Sequence, residues 1–465
     1  MTRRITRRQA LAASAATLGY LHLAPAVSAK RVFRANEKLR VAGIGVGGKG
    51  SSDIDNAAAL MDVIALCDID DKKNADKLKK WPTAKTFTDF RKLFDDTALL
   101  KNIDAFTIST PDHTHALPAV LAMRAKKHVY VQKPLTHDVY EAHLLRKEAK
   151  ENKVCTQMGN QGTAANGLRR AAELLRAGEL GDVTEVHVWT NRPIWPQAPK
   201  LSDKNPPKEG PVPAGIHWDE FLAVAPDRPY GAGMHAFAWR GYWDYGTGAI
   251  GDMACHTANM AFMGLNLGHP TKVSAEAGDV NPLSCPSFAH VTIDFPKRDK
   301  MVPVTLHWYE GQKDGKKMLP SEALVKKATE MSGKPLVNSG SIVIGSKGMA
   351  YSPDDYGSNV FFSTGKKADG STKPETMAVN NKGDQGQKDE WVDAIKANKP
   401  ELALSNFDYS SLLTAAFLLG NVAIRTGKPF NFDGEKCAAD IKEAAPLIRR
   451  TYRKGWDLIG YNGRG

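Results

Sequence analysis

The fold of this 465-residue chain is decided by one stretch near its start, Leu39-Arg40-Val41-Ala42-Gly43-Ile44-Gly45-Val46-Gly47-Gly48. Its apolar beginning predicts a buried first strand, and glycines follow that strand at once. Gly43, Gly45 and Gly48 match the spacing GxGxxG, in which the first glycine permits a tight turn. The second lets the backbone approach a pyrophosphate, and the third lets the next helix pack closely. The stretch therefore predicts the strand, turn and helix of a dinucleotide-binding domain.

A second apolar run, residues 63–67, ends at Asp68, about 20 residues beyond the glycine turn. At that distance a carboxylate hydrogen-bonds the ribose hydroxyls of NAD. Asp70 and Asp71 follow closely, so Asp68 could also be an ordinary turn residue, but its spacing favours the ribose. No arginine follows Asp68 directly, and we therefore predict NAD as the cofactor, with NADP less favoured.

Two further strands, residues 105–110 and 128–131, lead into polar segments. Because strands alternate with helical segments here, they predict a parallel sheet whose ligands bind at the carboxyl ends of the strands. The candidates for cofactor contact at these ends are Thr110, Pro111, His113, His115, Gln132 and Lys133. His113 and His115 lack an evident third metal ligand, so cofactor contact or simple loop packing is favoured and no metal site is predicted.

The hydrophobic periodicity changes after residues 154–158, the last predicted strand of the first domain. Residues 288–295 and 304–309 alternate strictly between apolar and polar, as half-buried, mostly antiparallel strands do. We therefore predict an α/β protein with an N-terminal Rossmann domain, built on a doubly wound parallel sheet, and a C-terminal α+β domain with an open, mostly antiparallel sheet. The predicted boundaries are 37–157 for the first domain, 158–430 for the second, and 431–465 for a C-terminal tail packing on the body.

A glycine-rich aromatic segment, residues 239–251, leads into a predicted helix that carries Asp252 and His256. These two residues are four apart and share one helical face. A histidine near its ordinary pKa of about 6.5 can take a hydroxyl proton while hydride leaves the same carbon. The carboxylate can orient the ring or bond the substrate. Such pairs are more often surface pairs or helix caps, but the aromatic approach and Lys133 favour a catalytic group.

The N-terminus has the order of a signal peptide: Arg7-Arg8, an apolar run at residues 12–24, and small residues up to Ala29. The paired arginines favour the twin-arginine route over a mitochondrial presequence, and we predict a signal peptide over residues 1–29. The expected location is the periplasm, reached through the twin-arginine translocation machinery. The chain has five cysteines without any CxxC pair, which fits folding in the reducing cytosol before export.

The net charge of +12 does not indicate a nucleic-acid partner. Four of the arginines lie in the predicted signal, and the remaining lysines occur in short groups with acidic neighbours, as on solvated surfaces. The chain is long enough for about two domains, and its composition is that of an ordinary globular protein.

Together these motifs resemble the glucose–fructose oxidoreductase, inositol dehydrogenase and MocA-like (Gfo/Idh/MocA) family, from about Leu39 to Trp456. In that family the lysine of an EKP motif and a D-x-x-x-H pair form the catalytic group, and they correspond to Lys133, Asp252 and His256. The resemblance implies hydride transfer between nicotinamide and a secondary alcohol of a sugar or cyclitol. His256 would be the general base, and Lys133 would polarise the reacting oxygen. It also implies a cis peptide before Pro134 and a dimer or tetramer.

One departure from the family pattern is Gln132, which stands where glutamate is usual. The change removes a charge beside the cofactor and Lys133, while the amide keeps its hydrogen-bonding capacity. The remaining candidates lie on the substrate side, where a loop resembles that of exported family members and an aromatic segment follows. They are Asn191, Arg192, Trp195, Arg240 and Tyr242.

Three functions fit this sequence. The first is an exported NAD-dependent oxidoreductase with tightly bound nicotinamide that acts on a sugar, glycoside or cyclitol. The second is an NAD-dependent glycoside hydrolase that uses transient oxidation and elimination. The third, suggested only by Gln132, is a non-catalytic sugar-binding protein.

Overall fold

The first sheet is parallel throughout, as the alternation of strands and helices predicts. The structure, a computed structural model, describes residues 38–462, and the predicted signal peptide at residues 1–29 lies outside them. The strands lie in the order β3-β2-β1-β4-β5-β6. They are β1 Leu39–Ile44, β2 Met61–Cys67, β3 Lys85–Phe87, β4 Ala105–Ile108, β5 His128–Val131 and β6 Thr156–Met158. This is the Rossmann order, with a crevice between β1 and β4 where the order reverses, and it confirms the prediction.

Helices connect the parallel strands, and their first residues show why they begin where they do. They are α1 Gly48–Ala58, α2 Asp71–Leu78, α3 Phe90–Asp95, α4 Thr97–Asn102, α5 Ala116–Arg124 and α6 Val139–Asn152. α6 begins with a capping box, in which the side chains of Asp138 and Glu141 each accept the other's backbone N–H. α1 has no side-chain cap and no acidic residue in its first turn. The N–H groups at its start therefore remain available to an anionic ligand.

The second sheet is mixed and open, and most helices of this half pack on one face, while the helix of residues 322–332 packs on the other. Its main path runs β15-β14-β13-β12-β7-β10-β9-β8-β16-β17, and β11 pairs with β10. The strands are β7 Val183–Trp189, β8 Lys272–Gly278, β9 Phe288–Phe295, β10 Val304–Lys313, β11 Lys316–Lys317, β12 Gly340–Gly345, β13 Gly348–Ser352, β14 Val360–Phe362, β15 Lys367–Ala368, β16 Phe430–Asp433 and β17 Ala438–Ala439. β7 is parallel to β10, and the other neighbouring strands are antiparallel. Alternate residues of β9 are buried, so the predicted open, mostly antiparallel sheet is confirmed.

The helices of this half include the longest in the described chain. They are α7 Asn166–Arg176, α8 Trp218–Leu222, α9 Gly248–Thr257, α10 Asn259–Gly264, α11 Glu322–Ser332, α12 Gly383–Ala397, α13 Phe407–Thr426 and α14 Ala445–Ile448. α13 ends at Gly427, which adopts φ +62°. It is the one helix of residues 38–462 long and apolar enough to cross a membrane, but 78% of its most apolar window is buried in the protein. It packs on α6, α9 and β8, as a core helix does.

The residues after 430 contact both halves of the protein. β16 pairs with β8 and so extends the second sheet. Further along, the Trp456 ring lies 5.8 Å from the ring of Phe90 in the first domain. The hydroxyl of Tyr461 donates to the carboxylate of Asp138 at 2.8 Å. These contacts place the last residues of the described chain against the start of α6.

Candidate active site

In the glycine turn after β1, the tight turn and the close contact with the helix involve other glycines than the spacing suggested. Gly45 is the tight-turn residue: it has φ +75°, and a Cβ there would lie 2.6 Å from the carbonyl oxygen of Ser109. A Cβ on Gly50 would lie 2.0 Å from the carbonyl oxygen of Gly45, so Gly50 provides the close contact between helix and turn. Gly43 lies inside β1, and a Cβ on Gly48 would meet nothing within 4 Å. The roles expected of Gly43 and Gly48 therefore fall to Gly45 and Gly50, two residues further along.

Asp68 lies at the carboxyl end of β2 and closes the same turn. Its Oδ2 accepts the N–H groups of Val46 at 2.9 Å and Gly47 at 3.0 Å, and its Oδ1 accepts that of Asp70 at 3.0 Å. Burial raises the pKa of Asp68, while these three N–H groups oppose the rise. The carboxylate is thus fixed beside the start of α1, at the position expected of a ribose ligand.

Other groups around the crevice between β1 and β4 also suit a dinucleotide. The hydroxyl of Thr110, just beyond β4, is buried without a hydrogen-bond partner among the described residues. Pro111 follows it and leads into a single 3-10 turn, Asp112–Thr114. An unpartnered hydroxyl, free N–H groups at the start of α1 and a carboxylate at Asp68 match the ribose and pyrophosphate of NAD.

The rings of His113 and His115 are used for packing, which corrects their assignment as cofactor contacts. His113 is 0% exposed, and its nitrogens face the carbonyl oxygens of Phe221 at 2.8 Å and Tyr245 at 3.3 Å. His115 is 1% exposed, and its nitrogens face carbonyl oxygens at 2.8 Å on both sides. Because both nitrogens of each ring face backbone carbonyl oxygens inside the protein, neither ring presents a nitrogen to a cofactor. The alternative from the sequence, loop packing, describes these rings.

Lys133 and Asp252 join the two domains by a buried ion pair. Lys133 follows β5, and its Nζ lies 2.5 Å from Asp252 Oδ1 and 2.8 Å from the Asp252 carbonyl oxygen. Burial is the largest single influence and opposes both charges, but the partner's charge, the hydrogen bond between the two groups and neighbouring groups together outweigh it, so the pKa of Lys133 is raised and that of Asp252 is lowered. Both groups are therefore ionised at neutral pH. The peptide between Lys133 and Pro134 is cis, as the resemblance implied.

His256 lies one turn along α9 from Asp252 and is held as a neutral ring. It is 4% exposed, its Nδ1 has no partner among the described residues, and the Tyr356 ring meets it edge-on at 5.2 Å. Burial, followed by the charge of Lys133, lowers the pKa of His256 well below its ordinary value. Asp252 bonds Lys133, so the carboxylate acts on the lysine in this structure. His256 is free to accept a proton.

Asp112 is a residue of this site that the sequence did not single out. Its Oδ2 accepts the backbone N–H of Thr247 at 3.1 Å and its hydroxyl at 2.7 Å. Thr247 is the N-cap residue of α9 and makes no capping bond with its own side chain. Asp112 therefore holds the N-terminus of α9 from the first domain. α9 is the helix that carries Asp252 and His256. Its place in the loop after β4 was the only signal in the sequence.

The five substrate-side candidates divide into two groups. Arg192 and Arg240 come to the site, with Nε atoms 3.5 Å and 3.8 Å from the carboxylate of Asp252. Asn191 supports Arg192 by accepting a hydrogen bond from its guanidinium. Trp195 is 6% exposed and donates to Gln197, and Tyr242 is 4% exposed in an aromatic cluster. These two aromatic residues form core, which corrects their assignment to the substrate.

Gln132 is held by a fully buried ion pair that the sequence did not reveal. Its Nε2 donates to Asp53 Oδ2 at 2.8 Å, and Asp53 Oδ1 lies 2.7 Å from Lys388 Nζ. Asp53 and Lys388 are 0% exposed, and the ammonium of Lys388 lies 3.6 Å from the Tyr130 ring centre. A glutamate at position 132 would place a second carboxylate against Asp53. The glutamine instead donates to Asp53 Oδ2, which also accepts the hydroxyl of Ser109 at 2.9 Å, so these contacts favour a neutral amide at position 132.

A Rossmann sheet with this glycine turn, an aspartate after β2 and a lysine after β5 defines an NAD-binding domain of the oxidoreductase class. Family comparison gives the same result. Residues 39–160 match the model of the Gfo/Idh/MocA oxidoreductase family described as an NAD-binding Rossmann fold, and residues 189–304 match the C-terminal alpha/beta domain of that family. The chain belongs to the Gfo/Idh/MocA family.

Curated relatives match over about a third of the chain. An inositol 2-dehydrogenase of Salmonella typhimurium is 28% identical over 153 residues, which are 32% of this chain and 44% of that protein. A glycosyl hydrolase family 109 protein of Solibacter usitatus is 29% identical over 164 residues, 33% of this chain and 37% of that protein. The matched regions thus span less than half the length of these relatives.

Solved structures share the fold over most of the chain. The aldose-aldose oxidoreductase of Caulobacter crescentus has a TM-score of 0.56 at 15% identity, covering 85% of this chain and 100% of that one. The WlbA dehydrogenase of Bordetella pertussis, solved with NADH and UDP-GlcNAcA, has a TM-score of 0.57 at 14% identity, covering 86% and 99%.

The packing around Asp53 predicts that Gln132→Glu lowers the free energy of unfolding by about 2–3 kcal/mol at pH 8. Two adjacent carboxylates raise each other's pKa in the folded state, so the loss is present above the ordinary carboxylate pKa and shrinks as pH falls. Adding Asp53→Asn to Gln132→Glu should recover most of it. Urea unfolding at pH 5 and pH 8 measures both variants, with the exposed Gln312→Glu as control. Equal stability of Gln132→Glu and parent at pH 8 would contradict this account.

Proposed function

We propose that this protein is an exported NAD-dependent oxidoreductase that moves hydride between tightly bound nicotinamide and a secondary alcohol of a sugar, glycoside or cyclitol. The observation that carries the proposal is the pairing of a charged Lys133 with a neutral His256, both anchored beside the carboxyl ends of the parallel strands. A charged donor and a neutral base are what alcohol oxidation requires. The inositol 2-dehydrogenase and aldose-aldose oxidoreductase among the similar proteins support the same chemistry.

Each residue has a distinct task in this reaction. When bound, the nicotinamide supplies the hydride acceptor. Lys133 donates a hydrogen bond to the reacting oxygen, and its charge stabilises negative charge that develops there. His256 accepts the hydroxyl proton as the alcohol becomes a ketone, and Asp252 keeps the ammonium charged and directed at the site. In the opposite direction His256 returns the proton.

The proposed export implies that the protein retains its NAD, because the periplasm contains little free NAD. Residues 1–29 have the order of a twin-arginine signal, and all five cysteines are free and buried, which suits folding before export. Retained nicotinamide must then be reset within each catalytic cycle. We further propose that the chain acts as a homo-oligomer, as the family resemblance implies.

Retention predicts about one equivalent of NAD per chain after native purification. Mass spectrometry of the nucleotide released by denaturing the protein measures the amount, and fractionation of cells that express the full chain measures its location. A yield far below one equivalent, with nucleotide exchanging freely, would contradict retention. Protein confined to the cytoplasm would contradict export.

Loss of the ammonium should stop the chemistry without emptying the nucleotide site. Lys133→Ala is expected to lower turnover by about 100–1000-fold, as removal of a preorganised donor does, while bound NAD stays at the parent level. Turnover is followed as nicotinamide absorbance with myo-inositol, D-glucose and D-glucuronate as probes. Lys147→Ala, a surface change on α6, serves as control. Unchanged turnover in Lys133→Ala would refute the assigned role.

The lowered pKa of His256 predicts how alcohol oxidation depends on pH. A base works when unprotonated, so a pKa well below 6.5 in the folded site preserves activity as pH falls through 6.5. The acidic limb of kcat/KM for oxidation should therefore lie below pH 6.5. A limb at or above that value would show that another group is the base or that the ring is not neutral. His256→Asn should remove this limb together with most of the activity.

A second function has support from one relative, the glycosyl hydrolase family 109 protein. The same residues could oxidise a glycoside transiently, let the aglycone leave by elimination, add water and return the hydride, with no net change in the nucleotide. Release of p-nitrophenol from p-nitrophenyl glycosides without accumulation of reduced nicotinamide would select this function. Saturable sugar binding with neither reaction would instead indicate a non-catalytic protein.

A further inference from the structure

Three cations surround one carboxylate at the site. Asp252 Oδ1 lies 2.5 Å from Lys133 Nζ and 3.8 Å from Arg240 Nε, and its Oδ2 lies 3.5 Å from Arg192 Nε. Within residues 38–462, Asp252 is the sole carboxylate in ion-pair contact with any of these three groups. A single negative charge cannot balance three positive ones.

Neutral groups hold the two arginines in place. The guanidinium of Arg240 lies 4.2 Å from the Trp239 ring centre and 5.0 Å from that of Phe237, and it donates to the Phe237 carbonyl oxygen at 3.3 Å. Arg192 donates to the side chain of Asn191, and its Nε is buried without a hydrogen-bond partner among the described residues. These contacts fix the planes of both guanidinium groups and leave their charge uncompensated.

The nearest additional carboxylate does not change this balance. The charges of Arg240 and Lys133 act to lower the pKa of Asp112, so this carboxyl group lies near both cations. It is buried, however, and its Oδ2 accepts two hydrogen bonds from Thr247. Burial raises the pKa of Asp112, which favours its neutral form. Even a fully ionised Asp112 would leave three cations facing two anions.

The cationic groups remain accessible from outside. Between 18% and 24% of the side-chain surface is exposed in Lys133, Arg192 and Arg240. The arginines come from separate segments, one after β7 and one just before α9, and they converge on the carboxylate that holds the catalytic lysine. A small ligand whose hydroxyl reaches Lys133 would therefore place its other substituents beside the two guanidinium groups.

We propose that the substrate is an acidic sugar or cyclitol whose carboxylate or phosphate binds Arg192 and Arg240 while its reacting hydroxyl lies on Lys133. This inference rests on the proposed function and adds the charge of the substrate to it. Guanidinium groups match both anions with paired N–H donors, and two partly exposed ones side by side favour an anion over a neutral ring. The same arrangement disfavours neutral sugars, which leave the excess charge unpaired.

The test compares matched ligands on the protein as purified with its nucleotide. Isothermal titration measures binding of D-glucuronate, D-glucose 6-phosphate and D-glucose, which share a ring and differ in charge. We expect at least one acid to bind at least about tenfold more tightly than glucose. Arg192→Gln and Arg240→Gln should each weaken binding of the acid by about tenfold without weakening binding of glucose. Arg146→Gln, which removes a surface arginine paired with Asp408, is the matched control.

The outcomes separate this inference from the proposed function. Equal binding of acids and glucose, no binding of either acid, or equal weakening of acid and glucose in the arginine variants would overturn the anion site. The acid that binds more tightly shows whether a carboxylate or a phosphate is preferred. Acid preference without nicotinamide reduction would refute hydride transfer and support the anion site. Reduction with glucose preferred over both acids would support hydride transfer and overturn the anion site.

Discussion

The ion pair between Lys133 and Asp252 is the interaction on which the site depends. It joins the end of a strand in the first domain to a helix of the second, so the position of Lys133 relative to that helix depends on this contact. The pair keeps the lysine cationic despite its burial, and that charge helps keep His256 neutral. Because Asp252 bonds the lysine, the histidine ring stays available for a proton. The pair thereby keeps Lys133 charged and, after burial, contributes to the low pKa of His256.

The sequence predicted the fold because it depends on local patterns, and the proposed catalytic group was read from patterns of the same kind. Strand periodicity identified both sheets, and Lys133, Asp252 and His256 lie in short motifs of fixed spacing. The roles of the individual glycines were misassigned because residues 43–50 contain two overlapping matches to the spacing GxGxxG. The distance between Gly50 and the Gly45 carbonyl oxygen separates them, and that distance exists only in the folded chain. Strand-end position likewise suggested His113, whose ring nitrogens the fold turns toward carbonyl oxygens.

The remaining features come from contacts between distant segments, which single-sequence patterns do not encode. Asp53 and Lys388 are 335 positions apart, and each looks like an ordinary charged residue on an amphipathic helix. Asp112 and Thr247 are 135 positions apart, and their bond becomes apparent only when both domains are in place. Arg192 and Arg240 were candidates from their segments, but their shared carboxylate was not evident. Burial of charge is what gives these residues their roles, and burial is a property of the whole fold.

The enclosed trio of Asp53, Lys388 and Gln132 also constrains which substitutions these three positions accept. Gln132→Glu alone would place two carboxylates side by side, and loss of Asp53 alone would leave the Lys388 ammonium without its partner. Loss of Lys388 alone would leave Asp53 with the partly exposed Lys49, at 3.4 Å, as its cation. For protein engineering, the three positions therefore have to be exchanged together rather than one at a time.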